Sequence, residues 1–154
     1  VSDAVGGYQE SKFFEPGSEL VVAATPFGNI GMMVCYDLRF PEMALRLRHL
    51  GANILTAPAA FTYTTGQMHW QLLIQARAMD SQCQVLGAAQ QGWNGEKRQT
   101  WGHAAAADSH GQLLDIVNAE GTQLITVPFD LAQQQATRLA MPLLEHRKLL
   151  SFSH

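Results

Sequence analysis

Cys35 is the residue in this chain best placed to do chemistry. It sits in Gly31-Met32-Met33-Val34-Cys35-Tyr36-Asp37-Leu38-Arg39-Phe40-Pro41-Glu42. An apolar run ends on the cysteine, a polar turn follows, and Pro41 opens a helix. A thiol at a strand end, on a sharp turn before a helix, is where α/β enzymes hold a nucleophile clear of the sheet. Backbone N–H groups after it then face the group under attack. Free cysteine is also a common small core hydrophobe, so the pattern alone leaves both readings open.

Other polar residues have structural readings beside functional ones. Arg39 and Glu42 flank the helix start and suit an ion pair, and Asp37 is placed to satisfy turn amides. His69-Trp70 falls at the opening of a second helix, where packing plus one hydrogen bond is expected. Arg77 on that helix could meet a carboxylate in the core. His103, Asp108 and His110 have no standard metal-site spacing, and His103 reads as a buried structural histidine in a strand. Cys83 reads as structural. Glu10 on its own reads as a solvated charge. Lys97 and Arg98 read as solvated, or as facing a pocket toward an anionic substrate.

The elements that must position these residues follow from periodicity and turn chemistry. Residues 1–19 read as a loop, 20–24 and 30–34 as strands, 41–50 as a helix with Gly51 beyond its end. Residues 53–57 read as a strand, 67–81 as a helix and 84–89 as a buried strand. This β-α-β-α-β order implies parallel strands. Short strands at 102–107, 113–117 and 124–127 then imply an antiparallel meander, and 130–138 a helix. The strands 53–57 and 84–89 are apolar on both faces, yet the chain offers no second layer to cover the face opposite the helices.

Composition bounds the rest. The 154 residues suit one domain, and only 15% are charged, which points to surface that is normally covered. A net charge of -3 gives no electrostatic case for nucleic acid or an anionic membrane. No apolar stretch is long enough to span a bilayer. Two cysteines without metal-type spacing argue against a disulfide scaffold or zinc site. A cytoplasmic location is expected.

The surroundings of Cys35 add a second line of reading. Glu10-Ser11-Lys12 precedes it. After it come Pro58-Ala59-Ala60-Phe61, Thr65-Gly66, His69-Trp70, Arg77-Ala78-Met79-Asp80, Glu96-Lys97-Arg98, Trp101-Gly102-His103, Pro142 and Arg147. In order and spacing these resemble the nitrilase superfamily of carbon–nitrogen hydrolases over nearly the whole chain. The nearest branch looks like the deaminated glutathione amidases, sisters of the omega-amidases. Glu96-Lys97-Arg98 before Gly102-His103 favours the former.

The resemblance implies a four-layer α-β-β-α sandwich and a Glu-Lys-Cys catalytic set with a second glutamate. Cys35 matches the nucleophile and Glu10 the second glutamate. The Tyr36 backbone N–H matches an oxyanion donor, and Phe61 to Thr65 match the loop bordering the substrate pocket. The general-base glutamate and the catalytic lysine, in a Lys-x-His-Leu-type motif, have no match. Lys12 does not substitute, because family members carry that lysine as well.

The expectation is therefore one N-terminally truncated carbon–nitrogen hydrolase domain over residues 1–154. It would be part of an amidase acting on a small amide such as deaminated glutathione through a Cys thioester, with little activity alone. Implied with it are no cofactor, no metal, a small-molecule amide substrate, the N-terminal half as a partner if it is encoded separately, and a homo-oligomer when intact. The alternatives are a non-catalytic remnant of a split or truncated gene, or a binding or assembly module.

Overall fold

A computed structural model describes residues 2–3, 6–7, 10–96, 98–118 and 120–148, with side chains from Ser11 onward. The chain begins with two short paired strands, β1 (Ser2–Asp3) and β2 (Gly6–Gly7), and a 3-10 turn at Glu10–Lys12. There follow β3 (Val22–Thr25), β4 (Gly28–Met32), α1 (Pro41–His49), β5 (Ile54–Thr56), α2 (Tyr63–Ser81) and β6 (Gln84–Gly87). The remainder is β7 (Gln91–Asn94), β8 (Arg98–Trp101), β9 (Ala105–Ala107), β10 (Leu113–Ile116), α3 (Leu131–Ala140) and α4 (Leu143–His146).

One six-stranded sheet runs β10-β9-β6-β5-β4-β3. Its centre, β4-β5-β6, is parallel, with Ile30 beside Ile54 and Ile54 beside Gln84. The flanking strands are antiparallel. The fold is thus mixed α/β, with the parallel βαβαβ centre expected from the alternation of apolar runs and helical spacing.

Both helices pack on one face. Pro at the first turn and basic residues in the last suit α1 to its termini, and its Ala44 and Leu47 are fully buried. Helix α2 drives Trp70 and Ile74 into the core. Gly87 admits them: a Cβ there would lie 2.6 Å from Ile74 Cδ1 and 2.7 Å from Trp70 Cζ2. Full burial of such side chains contributes about 1.5–3 kcal/mol each. Helix α3 starts at Asp130, whose carboxylate accepts the Gln133 N–H at 2.9 Å, a cap contributing about 1 kcal/mol.

Several sequence expectations change. Residues 124–127 form no strand, and Leu124 is 91% exposed. The run therefore has no strand partner among the described residues, although Ile125 and Val127 are half-buried. Residues 102–104 are not part of β9, because Gly102 and His103 both take positive φ (72° and 61°), which breaks the ladder. A hairpin, β7-β8, forms in a stretch for which the sequence predicts no strand. Helix α2 starts at Tyr63 rather than 67, so Thr65 lies in its first turn rather than in a loop.

Candidate active site

Strand β4 ends at Met32, two residues before the expected limit, but the chain keeps its course: the Met33 N–H donates to the Thr56 carbonyl at 2.9 Å. Cys35 then opens a 3-10 turn, Cys35–Arg39, with its own φ at +47°. A left-handed non-glycine residue stores about 1–2 kcal/mol, and the turn is pinned at several points to hold it. The Cys35 N–H donates to the Pro58 carbonyl at 2.9 Å. The Val34 N–H donates to Asp37 Oδ2 at 2.8 Å. Leu38 plugs the turn into the core at 0% exposure.

Cys35 is half-buried and carries a free thiol. Tyr36 is exposed, and no described residue accepts its backbone N–H. A thiol beside an uncommitted N–H, past the carboxyl end of parallel strands, can attack a carbonyl carbon and donate to the oxyanion that forms.

The segment after β5 supplies a wall. Pro58 is tied to Cys35, Ala59 bridges to Ala89, and the Phe61 carbonyl accepts the Trp101 N–H at 3.0 Å. Phe61 is buried against Trp70, edge to face at 5.2 Å. The Arg39 guanidinium lies between two rings, 5.4 Å from Tyr36 and 5.2 Å from Phe61. Its Nη1 donates to His69 Nδ1 at 3.3 Å, which places the His69 proton on Nε2. The structure therefore gathers Tyr36, Phe61 and His69 around Arg39, at the far end of the turn that Cys35 opens. Thr65 stands nearby in sequence on α2, its Oγ1 2.9 Å from Thr62 Oγ1.

The ion pair expected between Arg39 and Glu42 is not among the described ion pairs; Arg39 turns to His69 and the rings instead. His103 is not a strand histidine. It is half-buried between β8 and β9, stacked on Trp101 at 4.0 Å, and its carbonyl accepts Trp70 Nε1 at 2.6 Å. Asp108 accepts the N–H groups of His110 and Gln112, and His110 Nε2 meets Thr137 Oγ1. Arg98 is not simply solvated: its Nη2 donates to the Ala60 carbonyl at 2.9 Å, bracing the wall. Lys97 and the side chain of Glu10 lie outside the described residues.

Cys83 is buried, as expected, with Sγ 3.3 Å from the Ala52 carbonyl. Burial pushes its thiol pKa up against the pull of Arg138 and Arg48. A polar cleft of about 230 Å³, lined by Gln84, Asp108, Asp130 and Gln134 among others, sits at the start of β6. That is the opposite end of the sheet from Cys35, as the β4-β5-β6 register shows.

Sequence reasoning missed how Arg39, His69 and Arg77 are used. Arg77 did find the carboxylate of Asp80, but on its own helix. The only signal for the others was their residue type, since their partners lie about thirty or more positions away.

Residues 3–139 match the carbon-nitrogen hydrolase family. The chain belongs to that family. The chain is 43% identical over 151 residues to a deaminated glutathione amidase of Yersinia enterocolitica, covering 98% of this chain and 52% of that protein. Its fold is that of Saccharomyces cerevisiae Nit3, a branch 10 member of the nitrilase superfamily (TM-score 0.82, 32% identity, 90% of this chain and 51% of that one). It is equally similar to the Caenorhabditis elegans NitFhit protein, in which a nitrilase is fused to a fragile histidine triad protein (TM-score 0.83, 36% identity, 92% and 34%). The chain thus spans about half the length of the amidase it matches. It falls in the omega-amidase-like branch of the superfamily.

Proposed function

We propose that this chain is the C-terminal part of a single amidase domain, one that removes the terminal amide of a small carboxylate-bearing substrate such as deaminated glutathione. The observation that carries the reading is Cys35 at φ +47°, opening a braced turn beside a guanidinium and an uncommitted N–H. Cys35 Sγ attacks the amide carbonyl carbon. The Tyr36 N–H takes one lone pair of the oxyanion. The C–N bond breaks, ammonia leaves with the proton taken from the thiol, and a thioester remains. Water then cleaves the thioester and regenerates the thiol.

Arg39, held between Tyr36 and Phe61, binds the free carboxylate of the substrate, because no carboxylate among the described residues engages it. Phe61 and Thr65 border the acyl group, and Glu10 helps orient the chemistry. The general-base glutamate and the lysine come from a complementary N-terminal segment. Loss of acid–base help lowers rate about 10²–10⁴-fold, and loss of an oxyanion donor about 10²–10³-fold. The 154 residues alone should therefore turn over only at trace rates. The reading also includes a small-molecule partner, a homo-oligomer when whole, and a cytoplasmic setting that suits two free thiols. No helix among the described residues is long and apolar enough to cross a membrane.

The test is ammonia release from an omega-amide by this chain alone, and by the chain joined to or co-expressed with the N-terminal half of a relative. Activity in the second only, abolished by Cys35→Ala, supports the proposal. Brisk turnover by the chain alone overturns the division of labour. Silence in both forms, with correct folding, favours a binding module.

A further inference from the structure

We propose that Arg77 is a positioning residue for the Cys35 thiol, acting from α2 through the Leu38 carbonyl. This rests on the reading of Cys35 as nucleophile. A residue at φ +47° stays there only when its surroundings over-determine it. The bonds to Pro58 and within Val34–Asp37 hold the entry of the Cys35–Arg39 turn. The exit needs its own restraint, since the last carbonyls of a helical turn have no partner inside it.

Arg77 supplies that restraint. Its Nε donates to the Leu38 carbonyl at 2.8 Å, and its Nη1 pairs with Asp80 Oδ2 at 2.5 Å. The planar fork thus fixes two directions at once in a rigid geometry, whereas an ammonium on its flexible stem offers only rotatable donors. Arg77 is only 7% exposed. Its own carbonyl accepts the Ser81 hydroxyl at 2.6 Å, so Arg77 stands on a well-bonded stretch of helix. The Asp80 side chain is 35% exposed, and an ion pair with one partner in reach of water adds little stability. A bulky apolar residue would fill this site as well, but it would leave the Leu38 carbonyl without a donor. The placement of the fork is therefore accounted for by the turn it holds rather than by packing of α2.

The experiment compares Arg77→Met/Asp80→Asn, which removes both charges together, with Arg77→Lys and the parent chain. Hydrogen exchange of peptides covering 34–40 should accelerate about tenfold in the double variant, and less in Arg77→Lys. Exchange in β5 and β6 should stay at the parent rate, and buried Cys83 should remain closed to alkylation. In the reconstituted amidase, kcat per titrated thiol should fall about 10- to 100-fold, with KM nearly unchanged. Uniform acceleration across the 34–40 turn, β5 and β6, with Cys83 alkylated, would show a merely structural residue and overturn the proposal. So would an unchanged turn. If the double variant does not fold, Arg77→Lys decides by the same local-against-global exchange. The exchange readout needs no turnover, so a silent parent enzyme would sink the amidase reading while leaving this result to stand or fall on its own.

Discussion

Asp37 and Val34 are bonded to each other twice. The Val34 N–H donates to Asp37 Oδ2 at 2.8 Å, and the Asp37 N–H donates to the Val34 carbonyl at 2.9 Å. This closed pair brackets Cys35 and Tyr36, the two residues on which the proposed chemistry depends. It works as a cap does, with a carboxylate meeting a backbone donor that the turn leaves unpaired.

Asp37→Ala removes the carboxylate half of that pair. Since Val34 reaches water, the stability loss should be that of an exposed cap, about 0.5–2 kcal/mol. The catalytic loss should be larger, because the thiol and the Tyr36 N–H both hang from this loop. Asp37→Asn keeps an acceptor and should fall between. Thermal melts set against initial rates check this. A rate that tracks only the folded fraction would refute the positioning role of the pair.

Arg39 gives a prediction about substrate choice. A charge-assisted hydrogen bond contributes about 1.5–3 kcal/mol. Arg39→Gln should thus raise KM for a carboxylate-bearing amide about 10- to 100-fold. Neutral aliphatic amides should be affected far less, since they have no charge to lose. Parallel kinetics on one acid-bearing and one neutral amide give the answer. Equal losses on both would mean that Arg39 serves only to hold His69 and the two rings.

Much of this was legible in the chain. The strand–Cys–turn–helix order reads directly because Ile30 to Val34 is apolar and Pro41 can only begin a helix. The parallel centre reads from helices separating apolar runs. The β7-β8 hairpin did not read, because Gln91-Gly92-Trp93-Asn94 has no alternation and lies mostly exposed. Residues 124–127 misled for the opposite reason: they look like a strand, but no partner edge reaches them. At the site, Cys35 and Phe61 could be named from sequence, the latter through the family resemblance. The Arg77–Leu38 and Arg39–His69 contacts could not, since nothing local links residues so far apart in the chain.

Cys83 carries a pH dependence with a definite sign. Its folded-state pKa is raised above the model-compound value of 9.0, chiefly by burial. The folded state therefore holds this proton more tightly than the unfolded state. The stabilisation is complete below the unfolded thiol's pKa and is lost as pH rises through the folded one. Stability should decline on the alkaline side of about pH 9, and Cys83→Ala should flatten that decline despite a lower plateau near neutrality. Denaturant midpoints between neutral and alkaline pH test it. Identical alkaline slopes in the two proteins would remove Cys83 as the cause.

The last prediction concerns the sheet face turned away from α1 and α2. Added Cβ atoms at Gly31 and Gly87 would strike Leu47 of α1 and Trp70 of α2, so residues in register with these glycines face the helices. Their neighbours Ile30, Met32 and Leu86 face the other way. Near the strand starts this second face is partly covered, with Gln84 Nε2 donating to the Pro128 carbonyl at 3.0 Å. Toward Cys35 it opens, with Met32 48% exposed and Val34, just beyond the strand, 60% exposed. An apolar surface beside a sheet edge invites association, and two packed sheets would close it at about 10 Å spacing. The chain alone should bind an apolar-surface dye or self-associate. Both effects should fall when the N-terminal half is supplied, and Met32→Gln should weaken them in the isolated chain. A monodisperse monomer that ignores the dye would mean that this face is already satisfied and needs no second sheet.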